Sequence, residues 1–203
     1  LLRIFKQELR FVERRLELYK NRTQRSLMPG SSQAWFVEKS LEKIEKQYRS
    51  SLRVDPLTGV FNRRAFDEDI ERQCEQKLPF NLVLIDIDNF KQINDSYGHL
   101  FGDAVLKRVA ALLQEEVGED SVYRIGGDEF ACILDTSKPI LRRILSRINK
   151  RMVRTRWREP GATVTLSLGA TTQLDSEETM FMRADQALYN SKNNGRNCWS
   201  LYE

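Results

Sequence analysis

Four carboxylates stand where the chain is otherwise apolar. Gly126-Gly127-Asp128-Glu129 lies between two short apolar runs, Val122 to Ile125 and Phe130 to Leu134. A glycine pair takes positive φ at no steric cost, so the stretch predicts a β-hairpin with two acidic residues on its tip. Taken alone, an ordinary solvated turn accounts for these residues as well as a site does. About 40 residues upstream, Phe80 to Ile85 is a nearly continuous apolar run, read as a buried strand, and it ends in Asp86-Ile87-Asp88. Two carboxylates at the end of a buried strand are costly unless they bind something cationic. The strand end and the hairpin tip together could supply Asp86, Asp88, Asp128 and Glu129 to one pocket, with a supporting or capping role the alternative for Asp88, which ranks below Asp86. Oxygen-only ligands of this kind suit Mg²⁺ or Mn²⁺ rather than zinc. Carboxylates around hard cations are a common apparatus of nucleotidyl transfer.

Several elements must position those groups. Asp55 suits a turn or cap, and Pro56 ends whatever helix precedes it. Asn62 can cap a helix from Arg63 to about Gln76, with Phe66 and Ile70 facing inward. The strand Phe80 to Asp88 follows. Phe90 to Tyr97 predicts a short helix, with Phe90 in a packing role. Leu100 to Val117 predicts a longer helix, with Val105, Leu106, Val109, Leu112 and Leu113 as core positions. After the hairpin come a basic helix from Pro139 to Arg156, a strand from Ala162 to Thr171, and a helix from about Ser176 to Lys192 that stops near Gly195. Trp199 to Tyr202 reads as a final edge strand. Strands and helices alternate, but the hairpin forces antiparallel pairing. The expectation is therefore an α/β chain with a mixed sheet and helices packed on it.

The N-terminal segment has a different character. Leu2, Phe5, Leu9, Val12, Leu16 and Tyr19 form one helical stripe, and Leu41, Ile44, Tyr48 and Leu52 another, separated by the breaker around Pro29-Gly30-Ser31-Ser32. Two helices joined by a short loop are expected. Their apolar faces would pack on each other as a hairpin and pair with a second chain. Residues 1–54 hold 13 Lys and Arg against 6 Asp and Glu, whereas the remainder holds 20 against 23. A basic helical face is usually just solvated, and no interleaved aromatic and basic pattern supports nucleic acid as a partner.

The 203 residues suffice for one domain with its own core plus an appendage. Cys74, Cys132 and Cys198 are odd in number and lack pair spacing, which argues against a disulfide framework or zinc site and fits a reducing, cytoplasmic setting. No stretch reaches the roughly 18 apolar residues of a membrane span, and no signal peptide is visible. The chain does not start with Met, so it is expected to be a fragment of something longer. That leaves open a membrane anchor at the inner membrane or a fused sensor in the full-length protein.

The motifs resemble those of the GGDEF-domain diguanylate cyclases. Gly126-Gly127-Asp128-Glu129-Phe130 matches the family's signature. Asp55-Pro56-Leu57-Thr58-Gly59-Val60-Phe61-Asn62-Arg63-Arg64 is similar to its opening. Asp86 to Asp95 and Tyr97 to Asp103 are similar to its metal- and guanine-binding segments, and Ala184 to Tyr189 with Lys192 to Asn197 to its closing helix. The blocks occur in family order over about residues 53 to 200. The resemblance implies a five-stranded, palm-like (α+β) central sheet over residues 54–203, preceded by a helical stalk over 1–53 that serves as a dimerising, signal-carrying coiled coil.

The resemblance also implies a reaction, the condensation of two GTP into cyclic di-GMP with release of two pyrophosphates. Two Mg²⁺ or Mn²⁺ ions per active site are implied, with Asp86, Asp128, Glu129 and the Ile87 carbonyl as ligands. Asp128 or Glu129 would assist removal of the 3′-hydroxyl proton, and Lys91 would stabilise the phosphate under attack. Asn94 and Asp103 would read guanine, His99 would be a further substrate contact, and Lys192 and Arg196 would hold the terminal phosphates. The last two are spaced i, i+4 and so could project together from a helix. One bound GTP per protomer makes a homodimer necessary. The family's inhibitory Arg-x-x-Asp product site is incomplete here, because Val117-Gly118-Glu119-Asp120 lacks the arginine; Arg124 is a further candidate for product contact. A non-catalytic GTP or cyclic di-GMP receptor on the same fold is the alternative, set against the intact signature carboxylates.

Overall fold

The computed structural model describes residues 53–202 other than 78, 173 and 174, together with Lys39. The two expected N-terminal helices and the stalk over 1–53 therefore lie outside the described residues, except for Lys39 and Arg53. The elements in order are β1 (Phe61–Asn62), α1 (Arg63–Glu75), β2 (Asn81–Ile87), α2 (Phe90–Tyr97), α3 (His99–Val117), β3 (Val122–Arg124), β4 (Glu129–Leu134), α4 (Lys138–Val153), β5 (Leu166–Thr171), α5 (Glu177–Asn193) and β6 (Trp199–Tyr202).

The strands form one sheet of six in the order β1-β3-β4-β2-β5-β6. It is mixed, as the hairpin requires. The outer pairs β1–β3 and β5–β6 are parallel, and the inner pairs are antiparallel. The count exceeds the expected five by β1. A strand of two residues is too short to show an alternation, and its second residue, Asn62, also caps α1 by accepting from the Ala65 amide at 3.1 Å. The strand expected over 162–171 begins only at Leu166, because Thr165 turns both its carbonyl and its hydroxyl to Asp88.

β2 lies at the centre, with helices on both faces, which is why its sequence is apolar throughout rather than alternating. On one face Val83, Ile85 and Ile87 meet Val105, Val109 and Leu112 of α3 and Leu141, Leu145 and Ile148 of α4. On the other, Leu82 and Leu84 meet Phe66 and Ile70 of α1 and Met180, Ala184 and Leu188 of α5. The α5 side is packed to backbone contact. A Cβ added at Gly169 of β5 would fall 2.0 Å from the Leu188 amide nitrogen and 2.3 Å from the Ala184 carbonyl oxygen. Asn81 anchors the start of β2 by donating to the carbonyls of Leu134 and Thr136 at 3.0 and 2.8 Å. Among the described residues, no helix is long and apolar enough to cross a membrane.

Candidate active site

The sheet brings the two acidic segments together. In the β2–β4 register Asp86 stands directly opposite Glu129, and the Ile87 amide donates to the Asp128 carbonyl at 3.3 Å. Opposed residues of an antiparallel pair project to the same face with Cβ atoms about 5 Å apart. For Asp86 this is the α5 face, shared with Leu82 and Leu84. There the last turn of α5 supplies Lys192, whose Nζ donates to Asp86 Oδ2 at 2.8 Å.

Burial raises the pKa of Asp86, the Lys192 ion pair pulls it back, and the negative charges of Asp128 and Asp88 push it up again; the net shift is upward. A carboxylate that is hard to ionise beside other carboxylates is what a divalent cation would relieve. Among the described residues no three His, Cys, Asp or Glu side chains converge as a ready-made metal cluster. Asp86 and Glu129, opposed across β2 and β4, would offer two carboxylates. That suits Mg²⁺, which takes one or two carboxylates and completes its shell with water and phosphate oxygens.

Asp88, in the turn just past the end of β2, behaves differently. It is 4% exposed and accepts from the Thr165 hydroxyl at 2.7 Å, the Ser167 hydroxyl at 2.6 Å and the Asn197 amide at 3.0 Å. These bonds tie β2 to β5 and to the loop after α5. Asp88 is therefore a structural carboxylate that does not open onto the pocket it was expected to share.

The signature turn departs from its sequence reading in one respect. Neither Gly126 nor Gly127 has a left-handed φ. Gly126 is needed for a different reason, close approach. A Cβ there would sit 2.3 Å from Glu129 Oε2, so the missing side chain makes room for the Glu129 carboxylate. The Ile125 and Gly126 amides both donate to the Glu129 carbonyl, at 3.0 and 3.2 Å, closing the turn.

The remaining candidates fall around this centre. Lys91 is an exposed residue in the first turn of α2. The α2–α3 corner at Gly98 folds Asn94 over α3, where a Cβ at Gly102 would lie 1.9 Å from Asn94 Oδ1. Asn94 thus lies next to the backbone that carries half-buried Asp103. Gly102 escaped sequence reasoning, although a glycine inside a helix is itself a signal of close approach. His99 begins α3 and is exposed.

Arg196 does not project from a helix with Lys192. α5 ends at Asn193, and Gly195, Arg196 and Asn197 then run through left-handed φ values of 99°, 63° and 49°. The Arg196 amide donates to the Ser191 carbonyl at 3.1 Å while its side chain is exposed. The i, i+4 argument for this pair therefore fails. Arg124 is also committed, since its guanidinium donates to the Gly127 carbonyl and to Asp55. This leaves it a poor candidate for product contact.

Known proteins share this fold. The family model described as "Diguanylate cyclase, GGDEF domain" matches residues 52–198. Diguanylate cyclase VdcA of Vibrio cholerae is 35% identical over 170 residues, covering 79% of this chain and 50% of that protein. The uncharacterized protein YhcK of Bacillus subtilis is 39% identical over 180 residues, covering 80% and 50%. The chain thus spans about half the length of these curated relatives. The crystal structure of the coiled coil and GGDEF domain of DgcB from Caulobacter crescentus, in complex with c-di-GMP, superposes with a TM-score of 0.76 at 28% identity, over 84% of this chain and 96% of that one. With the signature turn and strand end meeting in the sheet as described, the chain belongs to the GGDEF-domain diguanylate cyclase family.

Proposed function

We propose that this chain condenses two GTP molecules into cyclic di-GMP and releases two pyrophosphates. In each half of the reaction a 3′-hydroxyl oxygen bonds to the α-phosphorus of the other GTP. The bond from that phosphorus to the β-phosphate bridge oxygen breaks, and the hydroxyl proton leaves to a nearby base. The observation that carries the reading is the opposition of Asp86 and Glu129 across β2 and β4, with Asp128 joined to Ile87 by its backbone.

Asp86 and Asp128 would hold divalent ions, Mg²⁺ or Mn²⁺, two per site, with Glu129 and the Ile87 carbonyl completing the protein ligands. Such ions supply charge neutralisation at the phosphates and acidify the attacking hydroxyl. Glu129, made accessible by Gly126, or Asp128 takes the proton. Lys91 brings a positive charge from the first turn of α2 towards the phosphate under attack. Lys192, paired with Asp86, has a second class of partner in the terminal phosphates, and Arg196 on the adjacent loop joins it there.

Asn94 and Asp103 read guanine. A carboxylate accepts from the N1–H and N2–H₂ edge, which adenine does not offer. His99 lies at the same corner as a further contact. The product's two-fold symmetry requires two such sites face to face, so a homodimer, aligned by the segment over 1–53, is part of the proposal.

The test is incubation with GTP and Mg²⁺ followed by chromatography. Wild-type protein yields one cyclic di-GMP per two pyrophosphates, with specific activity rising with protein concentration. Asp128→Ala yields neither product. Tight GTP binding without product would move the chain to the receptor alternative.

A further inference from the structure

The segment leading into the domain is fastened to it twice. Arg53 donates through Nη1 to Glu68 at 2.5 Å and through Nη2 to Asp69 at 2.6 Å, both on α1, and its carbonyl accepts from the Asn62 amide at 2.7 Å. Two residues on, one oxygen of Asp55 gathers three donors. These are the Thr58 amide at 2.9 Å, the Thr58 hydroxyl at 2.5 Å and Arg124 Nη1 at 3.1 Å.

The rest of the same guanidinium is aimed at the signature turn. Arg124 Nε and Nη2 donate to the Gly127 carbonyl at 3.2 and 2.7 Å. The next carbonyl along the chain, that of Asp128, accepts from the Ile87 amide at 3.3 Å. Two successive carbonyls, on either side of the Asp128 α-carbon, are therefore held from two directions, one by Arg124 and one by β2. What they fix between them is the direction of the Asp128 side chain.

A guanidinium is planar and rigid, so donors on opposite sides of it cannot move independently. A displacement of Asp55 would tilt the plane and with it the bonds to Gly127. Both charged groups are largely shielded, with side chains 15% and 16% exposed for Arg124 and Asp55, which keeps water from replacing the bond cheaply.

We propose that Arg124 is a positioning residue for the signature turn, and that Asp55 holds it in place, so that the segment arriving at Arg53 is linked to the orientation of Asp128. The kinetic part of this inference rests on the cyclase reading above; the structural part does not.

The test uses the full 203-residue chain and the variants Arg124→Gln, Arg124→Lys, Asp55→Asn and the Asp55→Asn/Arg124→Gln double. Tyr123→Phe is the comparison. It removes the neighbouring hydroxyl's 2.9 Å bond to Asp69 without touching the turn. Hydrogen exchange is followed at the Ile87 amide and at residues 126–129, and kcat and KM for GTP are measured alongside.

Arg124→Gln should lower kcat about 30-fold with KM within about 3-fold, as expected for misplacement of a reacting group rather than lost binding. It should speed exchange at Ile87 and in the turn about tenfold. Arg124→Lys should not rescue, because a single ammonium cannot serve Gly127 and Asp55 together in the fork geometry. The double variant should be no worse than Arg124→Gln, and Tyr123→Phe should leave exchange in the turn and kcat unchanged. Unchanged exchange in Arg124→Gln, full rescue by lysine, a change confined to KM, or additive losses in the double variant would overturn the proposal. If wild-type protein makes no cyclic di-GMP, the cyclase reading fails and the exchange data still decide the structural link.

Discussion

Asp86, near the end of β2, and Asp88, in the turn just past it, lie two residues apart, yet the structure assigns them opposite consequences when substituted. Asp88→Ala removes the acceptor for three donors: the fully buried Ser167 hydroxyl, the half-buried Thr165 hydroxyl and the exposed Asn197 amide. A hydrogen bond to a charged group contributes about 1.5–3 kcal/mol, and a buried donor left unpaired carries its desolvation cost. With about 2 kcal/mol for Ser167, about 1.5 for Thr165 and about 0.5 for Asn197, where water can substitute, the loss is about 4 kcal/mol. For a domain of about 150 residues that lowers Tm by about 8–16 °C.

Asp86→Asn keeps the shape and removes a charge whose folded-state pKa is raised. The folded protein holds that proton more tightly than the unfolded chain. Ionised Asp86 therefore subtracts stability as pH rises through the acid range, and its contribution is most favourable at low pH. Neutralising it at pH 7 should leave Tm unchanged or slightly higher, since Lys192 is 33% exposed and can turn to water. Its cost should appear in turnover, as a loss of at least about 100-fold or about 2.7 kcal/mol of activation free energy. Thermal unfolding and cyclic di-GMP production on both variants decide the matter. Equal Tm losses would refute the reasoning. So would an Asp88→Asn protein that keeps its Tm and loses its activity.

Three further outcomes follow from packing and sequence. Gly169→Ala should destabilise by about 3 kcal/mol or more, because its Cβ would meet backbone atoms of α5 at 2.0 and 2.3 Å; an unchanged urea midpoint would contradict the packing. Gly126→Ala should cost less than about 1 kcal/mol of stability, since its one contact under 3 Å is with the far end of the flexible Glu129 side chain, yet lower kcat at least about tenfold; unchanged turnover would remove Glu129 from the reaction. Cyclic di-GMP added in excess over GTP should inhibit weakly, because Val117 packs on the core where the family's product site has arginine, and Asp120→Ala should not change that inhibition; tight inhibition abolished by Asp120→Ala would refute it.

How much of this was legible in the sequence varies with the range of the forces involved. The Asn62 cap announced α1, apolar periodicity α3 and the Gly195 stop the end of α5, while β2 showed itself as an apolar run that suits a strand covered on both faces. The approach of Asp86 to Glu129 followed from the motif rather than from any local preference, because their pairing depends on β4 lying beside β2. Strand β1 was missed because two residues carry no period. The Lys192–Asp86 and Arg124–Asp55 pairs join residues 106 and 69 positions apart, so nothing in either neighbourhood signals them. The glycines of the signature were noticed for their conformational freedom, whereas the structure uses Gly126 for space. Helical spacing does not relate Arg196 to Lys192, because α5 ends at Asn193 and Arg196 lies in a loop whose left-handed turn is held by bonds to Ser191 and Asp88.

The central claim is that the end of β2 and the signature turn share a divalent cation. Crystals grown with Mn²⁺ and a GTP analogue that cannot react at its α-phosphate, with data collected at the manganese edge, test it directly. An anomalous peak between the Asp86 and Asp128 carboxylates, lost in Asp86→Asn, is the predicted result. A peak elsewhere, or one that survives in that variant, would contradict it.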